Sequence, residues 1–111
     1  MPLTYTKTPG GREDLIIIKL TGPLTLRNIF DFQRDLAANP PLIAVFDLSD
    51  VPYMDSAGIG VLINYYVSAQ KHGRRIALAA ANERIDALLE LTKVRDLLRN
   101  FPTVAEAEAG I

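Results

Sequence analysis

The segment Asp55-Ser56-Ala57-Gly58-Ile59-Gly60 holds the residues whose types and spacing are best suited to chemistry. An apolar stretch ends just before it and an amphipathic helical pattern begins within it. Ser56 is therefore expected at a helix N-cap, or one residue from it. A hydroxyl there can cap the helix. It is also a place for a phosphate, which would meet backbone N–H groups and the positive end of the helix dipole. Phosphorylation adds about −1.5 to −2 charges and three acceptor oxygens. Beside Asp55 the new charge also repels, so the effect should fall on whatever docks over this corner rather than on the helix itself. The preceding Val51-Pro52-Tyr53-Met54 offers such a partner an apolar patch rimmed by acids.

Other reactive groups carry less. His72 is the single histidine and sits beside Gly73 at an expected helix end. A triad or zinc site needs partners within reach and none is evident, so a structural role at the helix C-terminus is favoured. Asp47, Asp50 and Asp55 cluster near one strand end, where hard cations find oxygen ligands. Loop and cap carboxylates explain them more simply, and no metal or cofactor is expected. Gly58 and Gly60 lack the third glycine of a dinucleotide fingerprint and the βαβ unit before it. Their plainer use is to let another backbone approach the helix start and to leave Ser56 uncrowded. A phosphoaspartate receiver needs an acidic pair just after its first strand. Glu13-Asp14 instead precedes the run Leu15 to Leu20, and the late segment Leu78-Ala79-Ala80-Ala81 has no lysine.

The elements that position this segment read as follows. Leu3 to Lys7 is a short strand, Pro9-Gly10-Gly11-Arg12 a turn, and Leu15 to Leu20 a buried strand. Leu26, Ile29, Phe30, Gln33, Leu36 and Ala37 mark a helix that Asn39-Pro40-Pro41 stops. Leu42 to Leu48 is nearly all apolar, as in a strand covered on both faces. Ile59, Leu62, Ile63, Tyr66 and Ala69 form the next helical stripe, which ends at His72-Gly73. Arg75 to Ala80 is a strand. Asn82-Glu83-Arg84 opens a helix with the stripe Ile85, Leu88, Leu89 and Thr92. Val94, Leu97, Leu98 and Phe101 continue the helical pattern to Pro102. Thr103 to Ala105 reads as a short edge strand, with a frayed Ala/Glu tail. The expected fold is α/β, a mixed four- to five-stranded sheet flanked by helices.

The 111 residues suit one domain, spanning 1-111. Apolar residues make up 49%, enough for a core. Twelve basic and 13 acidic residues give a formal net charge of -1, which argues against nucleic acid as a partner. The absence of cysteine excludes a disulfide scaffold. Met1-Pro2-Leu3-Thr4-Tyr5 is not a signal peptide, and no apolar run is long enough to span a bilayer. A cytoplasmic protein without direct membrane insertion is expected.

The stretch Val45-Phe46-Asp47-Leu48-Ser49-Asp50-Val51-Pro52-Tyr53-Met54-Asp55-Ser56-Ala57-Gly58-Ile59-Gly60-Val61-Leu62 closely resembles the core motif of STAS domains. Among these it is most similar to bacterial anti-sigma factor antagonists. Leu20 to Leu24, His72 to Leu78 and Leu88 to Thr92 extend the likeness over almost the whole chain. The resemblance implies that the protein is not an enzyme but the substrate of a serine kinase that is also an anti-sigma factor. The unphosphorylated form would bind that kinase and free the sigma factor. Phosphorylation at Ser56 would abolish binding, and a serine phosphatase would restore it. Tyr53, Met54, Asp55, Ser56, Ala57, Gly58 and Thr25 then fall on the implied partner surface. Family members are commonly monomers, so a monomer or weak dimer is expected. The family often has a second hydroxyl after the acceptor. Here Ala57 leaves Ser56 alone. Two departures stand out. Gly22-Pro23-Leu24-Thr25 replaces the usual Gly-Glu-Leu-Asp, and Lys93-Val94 replaces the Gly-Leu step after the late helix, as if to lengthen or straighten it. The alternative is a constitutive STAS subunit of an ABC-type lipid transporter, which needs the same surface without phosphorylation. A small nucleotide-binding domain has slight support from the glycines.

Overall fold

Alternation along the second strand explains the layered architecture. In the computed structural model, which describes residues 2–111, β2 (Leu15–Thr21) sends Leu15 and Ile17 to one side of the sheet and Ile16, Ile18 and Leu20 to the other. Neither side faces water, so the strand is apolar throughout except for Lys19 and Thr21. β1 (Thr4–Pro9) pairs antiparallel with it after the Gly10-Gly11 turn. β3 (Ile43–Asp50), β4 (Arg75–Ala79) and β5 (Asn100–Phe101) then add in sequence order, each parallel to its neighbour.

Each parallel step needs a crossover helix. α1 (Ile29–Ala38), α2 (Ser56–Lys71) and α3 (Glu83–Leu91) supply them. Right-handed crossovers that all advance in one direction must lie on one face of the sheet. The larger core agrees, with Phe32, Leu62 and Leu89 from the three helices meeting Ile18, Phe46 and Leu78 of the sheet. An aromatic row crosses this core: Tyr5 to Phe32 at 5.1 Å, Phe32 to Phe46 at 6.1 Å and Phe46 to Tyr65 at 5.4 Å between ring centroids. The last two pairs are edge-on, the geometry that the ring quadrupoles favour. The other face of the sheet is closed by α4 (Val104–Gly110), where Ala107 packs near Leu15, Val45 and Ala77.

The α/β layering and mixed five-stranded sheet are as expected, and three local readings are corrected. The buried stripe of α1 is Ile29, Phe32 and Leu36, while Leu26 and Phe30 are exposed. The choice of stripe depended on the sheet beneath, which sequence spacing does not see. The helical pattern from Val94 to Phe101 does not continue α3. Lys93 takes φ +59, Val94 N–H donates to Leu89 O at 2.9 Å, and turns lead into β5. The departure at Lys93 therefore neither lengthens nor straightens the helix. It occupies the left-handed terminating position that glycine usually fills. Finally, residues 103–105 are not an edge strand. Thr103 Oγ1 accepts from Glu106 N–H at 3.1 Å and caps α4, so the Ala/Glu tail is a helix docked on the sheet.

No helix among the described residues is long and apolar enough to cross a membrane.

Candidate functional site

Strand β3 delivers the motif. Its carboxyl end runs out at Asp50, and Val51 N–H turns back to Leu48 O at 3.1 Å. The chain then passes Pro52 and Tyr53 and enters α2. Asp55, not Ser56, is the N-cap. Its backbone is extended, and Oδ1 accepts from Gly58 N–H at 3.0 Å. A carboxylate competes well for that place because it brings charge as well as an acceptor to the positive helix end. Ser56 is the first helical residue, and it is exposed.

The second carboxylate oxygen has a separate task. Asp55 Oδ2 accepts from Leu26 N–H at 3.1 Å, tying the helix start to the loop between β2 and α1. That loop runs alongside the motif. Leu24 N–H donates to Tyr53 O at 3.2 Å, and Asp55 N–H donates to Leu24 O at 3.3 Å, forming an isolated parallel bridge between Leu24 and Met54. Partial burial works to raise the Asp55 pKa. Hydrogen bonds from the backbone N–H groups of Gly58, Leu26 and Ala57 outweigh it and hold the carboxyl below its ordinary value.

Gly58 makes this close approach feasible. A Cβ there would lie 2.3 Å from Leu24 O and 3.1 Å from the Leu24 side chain. The expected role of the glycines, admitting another backbone, thus belongs to Gly58. At Gly60 a Cβ would meet nothing within 4 Å.

The remaining motif residues divide by burial. Met54 and Gly58 are buried, so they shape the surface from beneath. Tyr53 is exposed, with the Arg84 guanidinium 5.6 Å from its ring centroid. Thr25 and Ala57 are half-buried. Exposed Leu26 joins this corner through its bond to Asp55, a neighbour that sequence spacing placed instead on the inner stripe of α1. Asn82, the N-cap of α3, closes the other side. Its Oδ1 accepts from Ile85 N–H at 2.9 Å, and its Nδ2 donates to Pro52 O at 3.0 Å and Val51 O at 3.4 Å. Sequence reading identified Asn82 as a helix opener, but its grip on the motif loop depends on strand order.

The other acidic candidates are engaged locally. Asp47 Oδ1 accepts from Ser49 N–H at 3.0 Å, and Asp50 lies 3.2 Å from the Lys19 ammonium. His72 caps the end of α2, its Nδ1 at 2.9 Å from Ser68 O.

A strand that ends in a Gly-containing helix start, gripped by a second loop through one aspartate, is the arrangement this motif builds. The sequence profile described as STAS domain matches residues 7–107. The chain belongs to the STAS-domain family. A Thermotoga maritima relative, provisionally named an anti-sigma factor antagonist, is 29% identical over 99 residues, covering 86% of this chain and 88% of its own. The anti-sigma-B factor antagonist of Bacillus subtilis is 33% identical over 64 residues, 58% of this chain and 56% of that protein. The solved structure of the anti-sigma factor antagonist SpoIIAA in its unphosphorylated form superposes with a TM-score of 0.78 at 14% identity, over 97% of this chain and 98% of that one. That likeness is one of fold. Within the STAS fold, Ser56 occupies the exposed first turn of α2 and Asp55 holds the loop carrying Thr25 against it.

Proposed function

We propose that this STAS domain is an anti-sigma factor antagonist controlled by phosphorylation of Ser56. The unphosphorylated form binds a cognate anti-sigma factor that is also a serine kinase, and so releases the sigma factor. The phosphorylated form does not bind, and a serine phosphatase resets it. The chain acts in the cytoplasm as a single domain and a switch rather than a catalyst. The observation that carries this reading is the exposed Ser56 hydroxyl on the first turn of α2, beside a carboxylate already committed to two backbone donors. The names of the relatives support the same role.

The physical logic is local. Ser56 is not needed to cap the helix, because Asp55 does so. Its hydroxyl is therefore available without loss of fold. A phosphate there gains from the helix dipole and repels Asp55. A partner packed over Tyr53, Thr25, Asp55 and Ala57 would have to desolvate about two added charges, which costs several kcal/mol when they have no counter-ion.

The cognate kinase is expected to transfer one phosphate, located at Ser56 by peptide mass spectrometry. In calorimetry, Ser56→Ala should bind the kinase like the unmodified protein. Ser56→Asp should bind roughly tenfold or more weakly, with circular dichroism unchanged. Equal binding by the wild type and Ser56→Asp would sink the switch.

A further inference from the structure

The structure has a cleft away from Ser56, between α1 and the distal half of α2. It encloses about 180 Å³ and is lined by Gln33, Leu36 and Ala37 on one side and by Val61, Asn64, Tyr65, Ser68 and Arg74 on the other. A cavity of about 150 Å³ admits benzene. Its walls are mainly apolar, and Arg74 is the only charged residue lining it.

Arg74 is unusual for a half-buried cation. Its guanidinium donates to Ser68 Oγ at 2.8 Å and lies 5.6 Å from the Tyr65 ring centroid. Among the described residues no carboxylate lies within ion-pair distance of it. Arg12, Arg27, Arg75, Arg84 and Arg99 also lack one, but they are exposed to water and Arg74 is half-buried. Its Nε–H is buried with no acceptor. Tyr65 is only 7% exposed, and its hydroxyl also lacks a hydrogen-bond partner. Buried polar groups are nearly always satisfied, and partly buried charges are normally paired. A cation with no carboxylate partner on the wall of an apolar cleft defines what would complete it: a negative charge with hydrogen-bond acceptors, joined to a compact apolar body.

We infer that the α1/α2 cleft is a binding site for a small organic carboxylate. The carboxylate would pair with Arg74, and the apolar body would rest on Leu36, Ala37 and Val61. The amides of Gln33 and Asn64 offer further polar contacts. The planar guanidinium suits a carboxylate because it can donate two parallel hydrogen bonds. The inference stands apart from the role of Ser56, since it uses neither Ser56 nor any of Tyr53, Met54, Asp55, Ala57, Gly58 and Thr25.

The test is an NMR titration of the full chain with benzoate, benzyl alcohol and inorganic phosphate as probes. Benzoate should give saturable shifts at the amides of Ala37, Val61 and Ser68, with benzyl alcohol and phosphate each weaker. Arg74→Gln should weaken benzoate binding roughly tenfold to a hundredfold. Ala37→Leu, at an exposed helical position on the rim, should block the cleft even if Arg74→Gln folds poorly. Absence of saturable shifts at millimolar benzoate overturns the site. Undiminished binding by the folded Arg74→Gln or Ala37→Leu variant overturns it too. Benzyl alcohol binding as tightly as benzoate overturns the carboxylate assignment, and phosphate binding as tightly overturns the need for an apolar body.

Discussion

The starts of α2 and α3 follow adjacent parallel strands, and both are capped by a side chain that grips a neighbouring loop. Asp55 accepts from Gly58 N–H and reaches Leu26. Asn82 accepts from Ile85 N–H and reaches Pro52 and Val51. The third helical position is Gly58 in one and buried Ile85 in the other. The first is neutral Ser56 in one and Glu83 in the other. α3 thus carries its own acidic charge in its first turn and fills its underside with a side chain. α2 carries no acidic residue in its first turn and leaves its underside to the backbone of another loop. A phosphate on Ser56 would supply at α2 the charge that α3 has in its sequence. A modifiable helix start is one whose cap is already provided and whose first residue is free.

The strongest way to break this contrast is at the third position. Gly58→Ala drives a methyl group against Leu24 O and should destabilise by about 3 kcal/mol in urea denaturation. Gly60→Ala, with open space around it, should instead stabilise by about 0.5–1 kcal/mol. Equal effects would mean that Gly58 does not hold the two loops together.

Caps come next. Asp55→Ala should cost about 2 kcal/mol and Asn82→Ala about 1 kcal/mol by the same measurement. The two differ in pH dependence. Asp55 has its carboxyl lowered in the folded state, net of the opposing burial, by its backbone donors. Its contribution is therefore present above the unfolded carboxylate pKa and is lost as pH falls through the lower folded value. Asp55→Asn should flatten the acid limb of the stability profile, while Asn82→Ala should shift the whole profile without changing its slope.

The helix ends sharpen the comparison further. α2 ends on Gly73 at φ +69 and α3 on Lys93 at φ +59. Arg74 N–H donates to Ala69 O at 2.8 Å and Val94 N–H to Leu89 O at 2.9 Å, the same closing bond in each. Lys93→Gly should stabilise by about 1 kcal/mol in thermal denaturation, because only the non-glycine end carries left-handed strain. The smallest effect is electrostatic. Ser56→Glu should gain a few tenths of a kcal/mol at low salt and Glu83→Gln lose as much, both fading as salt is added.

Much of the site was legible because its signals are local. The strand Leu42 to Leu48 is apolar enough to require two covered faces, and Asn82 and Gly73 are plain start and stop residues. The Asp-Ser-x-Gly-x-Gly motif marks the helix start to within one residue. What escaped depends on what lies opposite. Phe32 replaced Phe30 in the core because the sheet selects the face of α1. The tail docked as α4 because the uncovered side of the sheet needed a helix, and Ala107 is fully buried there against Leu15, Val45 and Ala77. Val94, Leu97, Leu98 and Phe101 mimic a helical period, yet only Val94, Leu98 and Phe101 are buried, along a path turned by Lys93.

The sequence by itself determined the α/β layering, the strand-to-helix corner and Ser56 as the one hydroxyl within the segment Asp55 to Gly60. These follow from periodicity, capping chemistry and the lack of a second hydroxyl at Ala57. Only the tertiary structure decided that Asp55 rather than Ser56 is the cap, that the Leu24 to Leu26 loop lies against the motif, and that Arg74 faces the α1/α2 cleft without an acid. The first is a choice between neighbours, made by the Asp55 to Gly58 bond and the tie to Leu26. The other two rest on groups far apart in the chain, whose meeting is set by strand order and crossover handedness.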